Sequence, residues 1–261
     1  MINQKAAIFF EHIEPIIKQA GAILLAYFKT SLDVHTKGDS SIVTQADLAS
    51  ESYLKSALKK IMPDASFYAE ESGREGDNPY CFVIDPLDGT TNFSRGIGYF
   101  CISICLTYHD EPLAAAVYQP IQDDFFVAVK GGGTFLNGKQ INLAKPHFEQ
   151  SLVVISLPYK KNAQHALLLE YAQRVAPHTY AFRCMGASAL DLAYVAVGRI
   201  DGICLADHAW WDVAAGILLI TEAGGAITDF SGIELRSTFK NCIAGSKKVY
   251  NTLKEMLNGF K

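Results

Sequence analysis

The residues best suited to chemistry lie in the first half of the chain. Residues 84–93 read IDPLDGTTNF, so Asp85 and Asp88 lie three positions apart, after an apolar run that begins at Tyr80. Two anions about 4 Å apart repel by roughly 1 kcal/mol in water and by more near a protein surface. The pair therefore requires a cation, and oxygen ligands select a hard ion such as Mg²⁺, which often shares its shell with phosphate. The segment predicts metal-assisted phosphoryl chemistry.

The turn after these carboxylates supports a phosphate ligand. Gly89, Thr90 and Thr91 offer successive backbone N–H groups where the chain enters a helix, and such groups form an anion cradle. The competing interpretation is an exposed loop, since Asp, Pro and Gly are all turn formers. A plain loop does not explain the apolar residues 80–84 that lead into it.

Two further carboxylates adjoin regular elements. Glu70 follows the apolar run SFY, and beside the first pair it is a candidate third ligand. Asp212 stands in the first turn of an apolar helix, in the segment WWDVAAG, where it serves either as a helix cap or as a metal ligand. His208 precedes this helix and is a possible base or ligand, but a lone loop histidine is more often exposed, so the predicted site excludes it.

The elements that must position these groups follow from apolar spacing. Helices are predicted at 5–28 and 44–62, with Thr44 as the N-cap of the second and Asp47 in its first turn. Short β-rich runs follow between 80 and 141. Among them, GTFLNGKQ resembles a P-loop but has Gln where Ser or Thr is required, so its Asn-Gly pair predicts a hairpin instead.

Residues 151–229 alternate strand and helix, which predicts an α/β second half after an α+β first half. A strand CIAG and a helix from Lys247 complete the pattern. We expect an N-terminal sub-domain at 1–148 that carries the metal motif and a C-terminal sub-domain at 149–261. The active site is expected between them.

Composition narrows the class of protein. The chain has 261 residues, 49% of them hydrophobic, which is typical of a globular protein. Its net charge of −4 argues against a nucleic-acid-binding protein, which would normally carry a cluster of basic residues on its surface. Polar residues interrupt the apolar N-terminal segment at helical spacing, so we expect neither a signal peptide nor a membrane span. Six cysteines without CxxC spacing predict buried thiols and a reducing, cytoplasmic compartment.

The motifs, taken in order, resemble one known family. IVTQADLASE, AEESG, IDPLDGTTNF and WWDVAAGILLITEAGG together are similar to the inositol monophosphatase family of magnesium-dependent, lithium-sensitive phosphomonoesterases, from about residue 8 to residue 255. The resemblance implies a layered αβαβα sugar-phosphatase fold, a homodimer and two or three Mg²⁺ ions.

The resemblance also implies roles for individual residues. Thr90 with Asp47 would help to activate the attacking water, Glu70 would share in catalysis, and the Gly89 and Thr90 amides would hold phosphate. The metal ligands would be Glu70, Asp85, the Leu87 carbonyl, Asp88 and Asp212. The substrate contacts would be Asp88, Gly89, Thr90, Gly186, Ala187, Ser188, Leu205 and Asp212.

One departure from the family pattern concerns the substrate. Inositol-specific members carry a Glu seven residues before the aspartate of the Trp-Asp pair, and here that position is Leu205. Asp207 or His208 could replace the lost acceptor from the same loop. Nucleotide-bisphosphate phosphatases have Lys at the position of Thr91. Thr91 therefore favours the inositol monophosphatase, fructose-bisphosphatase and histidinol-phosphatase members of the superfamily.

The sequence thus predicts a phosphatase that hydrolyses inositol monophosphate or a related sugar or polyol phosphate with metal-activated water, without nucleic-acid or membrane partners. The alternatives are fructose-1,6-bisphosphatase, histidinol-phosphatase or 3′(2′),5′-bisphosphate nucleotidase activity. A non-catalytic metal- or phosphate-binding protein is a further alternative. A different class of phosphatases uses the first Asp of an Asp-x-Asp-Gly-Thr motif as a covalent nucleophile. This chain does not match that motif, because two residues separate Asp85 from Asp88 where the motif has one.

Overall fold

A computed structural model describes residues 3–30, 34–36, 42–143, 148–158 and 162–257. The α-helices in this part of the chain are α1 (Gln4–Tyr27), α2 (Gln45–Ile61), α3 (Thr90–Ser94), α4 (Ala163–Val175), α5 (Ser188–Ala196), α6 (Trp210–Glu222) and α7 (Lys247–Leu257).

The strands are β1 (Val34–Thr36), β2 (Ile42–Thr44), β3 (Ser66–Ala69), β4 (Gly73–Glu75), β5 (Tyr80–Asp88), β6 (Cys101–Tyr108), β7 (Glu111–Gln119), β8 (Asp124–Val129), β9 (Gly133–Leu136), β10 (Lys139–Ile141), β11 (Leu152–Ser156), β12 (Ala181–Arg183), β13 (Gly202–Ala206), β14 (Ala226–Thr228) and β15 (Asn241–Gly245). Short 3₁₀ turns lie at Phe148–Gln150 and Ala176–His178.

Local sequence signals account for most of these elements. Helix α2 begins with a capping box, in which the Thr44 hydroxyl accepts a hydrogen bond from the Ala46 N–H and the Asp47 carboxylate accepts one from the Thr44 N–H. Strands β9 and β10 form the predicted hairpin, with Leu136 opposite Lys139. The predicted helices and the strand-helix alternation of the second half are therefore confirmed.

Two large sheets hold the fold together. The first has the order β10-β9-β8-β7-β6-β5-β3-β4, and β3 and β5 are its parallel pair. The second has the order β12-β11-β13-β15-β14, in which β11 runs parallel to both of its neighbours. The two sheets thus divide between the first and second halves of the chain.

The layers alternate helix and sheet. Helices α1 and α2 cover one face of the first sheet, and α5 and α6 lie between the two sheets, in contact with both. Helices α4 and α7 cover the far face of the second sheet. Strand alternation separates these layers, since Phe82 and Ile84 of β5 face α1 and α2 while Val83 faces the central layer. This is the predicted αβαβα architecture.

The central layer contains residues from both halves of the chain, including Val83, Phe126, Leu190 and Val213. The predicted boundary between sub-domains at 148/149 adjoins residues 144–147, which lie outside the described residues, and it stays a prediction. In the described part of the chain, no helix is both long and apolar enough to cross a bilayer. Cys184 is exposed, contrary to the prediction of buried thiols, whereas four other cysteines are buried.

Candidate metal centre and substrate cavity

The parallel pairing of β3 with β5 places Glu70 beside Asp85. Ala69 lies opposite Ile84 in the register, and the Glu70 N–H donates to the Ile84 carbonyl at 3.1 Å. Because the two strands run in the same direction, the residue after Ala69 lies beside the residue after Ile84, which is Asp85. Two carboxylates that are 15 positions apart in the sequence thus become neighbours.

Asp85, Asp88 and Asp212 form a compact cluster. One carboxylate oxygen from each lies within 4.8 Å of the other two. The β5 ladder is irregular between Asp85 and Asp88, and the Asp85 carboxylate accepts the Leu87 N–H at 3.0 Å in a local turn. This bend lets two carboxylates three residues apart face the same point. Within the described residues, none of the three aspartates forms an ion pair.

Asp212 caps its helix and also lies in the aspartate cluster. Its Oδ2 accepts the Ala209 N–H at 2.8 Å, which caps the start of α6. The same side chain belongs to the aspartate cluster. Ala209 has no side-chain acceptor of its own, so Asp212 both caps the helix and directs negative charge into the interface.

Asp88 fixes the first sheet to α5. Its carboxylate accepts three backbone hydrogen bonds from the start of that helix, from Ser188 (3.1 Å), Ala189 (2.9 Å) and Leu190 (3.2 Å). These donors lie at the positive end of the helix dipole and stabilise the charge. Burial has the opposite and larger effect, and it raises the pKa of Asp88 to about 6.

The rest of the cluster is also costly to ionise without a cation. Burial raises the pKa of Asp85 well above its usual value, and the neighbouring charges of Glu70, Asp88 and Asp212 raise it further. Burial likewise raises the pKa of Asp212, and the negative charges of Asp88 and Glu70 raise it further. Buried carboxylates that repel one another are held in place only if something neutralises them.

The donor set fits magnesium. The clustered atoms are carboxylate oxygens, which are the ligands that Mg²⁺ prefers, and they approach closely enough to share an ion. Asp85, Asp88 and Asp212 would bind it first, with Glu70 adjoining Asp85. The Leu87 carbonyl lies on the bend that joins the first two aspartates, and its role as a ligand stays a prediction.

Thr90 joins the cluster to Asp47. Its Oγ1 lies 3.2 Å from Asp47 Oδ1 and 3.0 Å from the Leu87 carbonyl oxygen. The other oxygen of Asp47 accepts from the Thr44 N–H and hydroxyl, so the helix cap holds the carboxylate in place. Burial raises the pKa of Asp47 to about 6. The predicted pairing of Thr90 with Asp47 is thus present as a contact.

Gly89 allows α3 to begin against α5. Its φ of +89° is left-handed, and a Cβ there would lie 3.0 Å from both the Ala187 Cβ and the Tyr99 carbonyl oxygen. Both the conformation and the space require glycine.

A cavity of about 550 Å³ opens beside the cluster. Among the predicted substrate contacts, Asp88, Gly186, Ser188 and Asp212 line it. Gly89, Thr90, Ala187 and Leu205 do not line it, and Ala187 and Leu205 are almost fully buried. The full lining comprises Glu70, Asp88, Thr91, Asn92, Ser156, Leu157, Pro158, Cys184, Gly186, Ser188, Asp207, His208, Ala209, Trp211 and Asp212.

His208, which the sequence analysis left outside the predicted site, lies at the cavity. The ring lines the cavity, with Nε2 3.1 Å from Ser156 Oγ and Nδ1 2.8 Å from the Ala206 carbonyl oxygen. Sequence reasoning also missed Ser156 at the end of β11 and Asn92, whose amide donates to the carbonyls of Tyr99 and Met185. No local signal distinguishes His208 and Ser156, because their positions depend on how distant strands pair, whereas Asn92 lies inside the IDPLDGTTNF motif.

Several known proteins are similar to this chain in sequence and fold. Residues 8–258 match the model of the inositol monophosphatase family. An inositol-1-monophosphatase of Rhizobium meliloti is 36% identical over 231 residues, which cover 87% of this chain and 86% of that protein. A protein of Escherichia coli K12 named Nus factor SuhB is 33% identical and is covered to 90%. The crystal structure of the extragenic suppressor protein SuhB of Bartonella henselae superposes with a TM-score of 0.92 at 35% identity, over 97% of this chain and 99% of that one.

Proposed function

The chain belongs to the inositol monophosphatase family, and on that premise we propose that it is a magnesium-dependent phosphatase of inositol monophosphate or a related polyol or sugar phosphate. The observation that carries the proposal is the aspartate cluster, with three carboxylate oxygens within 4.8 Å of one another at the edge of a cavity that accommodates a small ester. Such a cluster is unfavourable without a cation. The family match alone does not show that this chain has kept the ligands.

Bound at Asp85, Asp88, Asp212 and Glu70, Mg²⁺ would supply Lewis-acid activation of the ester and a more acidic bound water. The protein fixes the geometry of these ligands in advance. Asp88 is held by three N–H groups of α5, Asp212 by the start of α6, and Asp85 by the Leu87 N–H. Preorganised groups of this kind do not have to reorganise during the reaction.

Thr90 and Asp47 are placed to orient the attacking water. When the Thr90 hydroxyl donates a hydrogen bond to Asp47 Oδ1, its lone pairs are free to accept a hydrogen bond from a water molecule beside the cluster. Asp47 is in turn fixed by Thr44. A proton of that water would pass to Thr90 as the Thr90 proton passes to Asp47, so the carboxylate would be the final proton acceptor. The amides of Gly89 and Thr90 remain the proposed phosphate donors.

A panel of esters tests the proposal. Phosphate release is measured with Mg²⁺ or with chelator on inositol monophosphate, glycerol phosphates, fructose 1,6-bisphosphate, histidinol phosphate and a nucleotide 3′,5′-bisphosphate. We expect turnover of a monophosphorylated polyol that requires Mg²⁺. Asp85→Asn should reduce it to background while the circular dichroism spectrum is unchanged. The matched control is Asp201→Asn, which alters an aspartate outside the cluster that accepts the Leu152 N–H. Full activity of Asp85→Asn with Mg²⁺ would refute the metal assignment.

The remaining expectations about partners are proposals as well. Light scattering tests the homodimer, and localisation in cells tests the cytoplasmic assignment. Because a relative is named Nus factor SuhB, the predicted absence of nucleic-acid binding also needs a direct test. An electrophoretic mobility shift assay on this chain would provide it.

A further inference from the structure

A buried thiol lies against one carboxylate of the aspartate cluster. Cys101 is the first residue of β6, and the register of the first sheet places it opposite Asp88, the last residue of β5. Its Sγ lies 3.6 Å from Asp88 Oδ2, and the side chain is fully buried. Alternation along β6 turns Cys101 and Cys105 toward the same central layer. Strand pairing thus fixes this thiol beside the candidate metal centre.

The thiol is a hydrogen-bond donor to this carboxylate. A cysteine keeps its proton at neutral pH unless a positive neighbour stabilises the thiolate, and the neighbours of Cys101 are carboxylates. An ionised carboxylate can only accept, so the S–H group donates to Asp88 Oδ2. The sulfur is not itself a ligand for Mg²⁺, which takes oxygen, and the clustered atoms are all aspartate oxygens.

This bond completes the donors around one oxygen of Asp88. Oδ2 also accepts the N–H groups of Ala189 and Leu190, at 2.9 and 3.2 Å. Oδ1 has one donor within the described residues, the Ser188 N–H at 3.1 Å. A carboxylate offers about four lone-pair sites, two on each oxygen, so Oδ2 is saturated and Oδ1 keeps a site for a cation.

The three N–H donors all come from the start of α5, whereas the thiol comes from the first sheet. Without the thiol, the carboxylate would be held by one helix end, and the space left by the sulfur would let it turn about its last bond. We propose that Cys101 is a positioning residue of the metal centre, whose thiol holds Asp88 Oδ2 and so presents Oδ1 to the ion. The inference rests on the proposed function, since it requires a metal ion at the aspartate cluster.

The S–H stretching vibration of Cys101 reports this hydrogen bond directly. It absorbs in a part of the infrared spectrum where other protein groups absorb little, and its frequency falls as the acceptor becomes stronger. Difference spectra of wild type against Cys101→Ala and against Cys105→Ala isolate the two bands. Cys105 is the matched control, because it is buried on the same face of β6 but donates to the neutral Leu106 carbonyl at 3.8 Å.

We expect the Cys101 band at a lower frequency than the Cys105 band in the metal-free protein. Saturating Mg²⁺ withdraws charge from Asp88, so the Cys101 band should rise. It should still stay below the Cys105 band, because Oδ2 keeps its thiol partner while Oδ1 binds the ion.

Isothermal titration calorimetry with Mg²⁺ tests the consequence for the metal. Cys101→Ala should weaken binding roughly tenfold, the lower end of the range for outer partners of metal ligands, because a thiol is a weak donor. Cys101→Ser keeps a donor and should retain most of the affinity. Cys105→Ala removes the same atoms from the same layer and should leave the Kd unchanged.

A Cys101 band at the frequency of the Cys105 band, with or without Mg²⁺, would overturn the inference. So would a Cys101→Ala protein that binds Mg²⁺ like wild type, or equal losses in Cys101→Ala and Cys105→Ala, which indicate packing alone. If Cys101→Ala does not fold, Cys101→Ser supplies the difference spectrum, and the position of the band decides. A wild-type protein that binds no Mg²⁺ refutes the metal centre of the proposed function, whereas equal binding by wild type and Cys101→Ala refutes only the positioning role.

Discussion

Replacing Asp212 by Asn should stabilise the metal-free protein while abolishing activity. Asn is isosteric with Asp, and its side-chain oxygen can still accept the Ala209 N–H that caps α6. The substitution therefore removes charge from the cluster and leaves the helix cap in place. Its new amide group can donate to Asp85, where a carboxylate stood before.

The magnitude follows from the cluster geometry. Two unit charges 4.8 Å apart repel by about 3 kcal/mol at an effective dielectric constant of ~20, and Asp212 has two such neighbours. Because the raised pKa values of the cluster let it take up protons, only part of this repulsion persists near neutral pH. We expect a gain of about 2 kcal/mol, or a rise in Tm of about 4–8 °C for a chain of this size.

Thermal unfolding at pH 7.5 in chelator and in Mg²⁺ is the assay. Wild type should gain roughly 3 kcal/mol at a hundredfold excess of Mg²⁺ over its Kd, and Asp212→Asn should lose most of this gain. Asp212→Ala removes both charge and cap, so it should be about 1 kcal/mol less stable than Asp212→Asn. A metal-free Asp212→Asn protein that melts below wild type, or that is still stabilised by Mg²⁺ like wild type, would refute the reasoning.

Four other perturbations test separate parts of the site. The pKa values of Asp47 and Asp88 are raised from 3.8 to about 6 in the fold, so the metal-free protein should lose stability as the pH rises from about 4 to about 7, by at most about 3 kcal/mol for each group. Denaturant unfolding in chelator measures this loss, and a stability that does not change with pH contradicts it. Thr90→Val should lower kcat by roughly a hundredfold with little change in KM, whereas Thr90→Ser should be nearly normal in the same steady-state assay. Gly89→Ala should cost about 2–3 kcal/mol in unfolding experiments, more than Gly73→Ala, where φ is also positive but no atom lies within 4 Å of the new Cβ. Lithium at millimolar concentration should inhibit turnover, and insensitivity at saturating Mg²⁺ would count against a second, weaker metal site.

The sequence was sufficient wherever the physical signal is local. The apolar spacing of the helices, the Thr44 N-cap and the Asn-Gly hairpin each depend on residues within a few positions of one another, and each is present as predicted. The bend that brings Asp85 and Asp88 together is local as well. Their chemistry could therefore be inferred before any fold was known.

The sequence could not determine which distant residues complete the site. Glu70 meets Asp85 because β3 pairs in parallel with β5, and Ser188 meets Ser156 because α5 packs against the end of β11. Such contacts depend on strand register and helix packing, which no short segment encodes.

His208 and Leu205 show the same limit in opposite directions. From the sequence, His208 was taken for an exposed loop residue and Leu205 for a substrate contact, but the ring faces the cavity and the leucine is buried. Strand β13 determines both positions. Alternate side chains of a strand point to opposite faces, which buries Leu205, and the sheet fixes the end of β13 from which the loop with His208 begins. The sequence alone thus determined the elements and the acidic motif. Only the tertiary structure decided which side chains share the cavity, because that depends on long-range pairing.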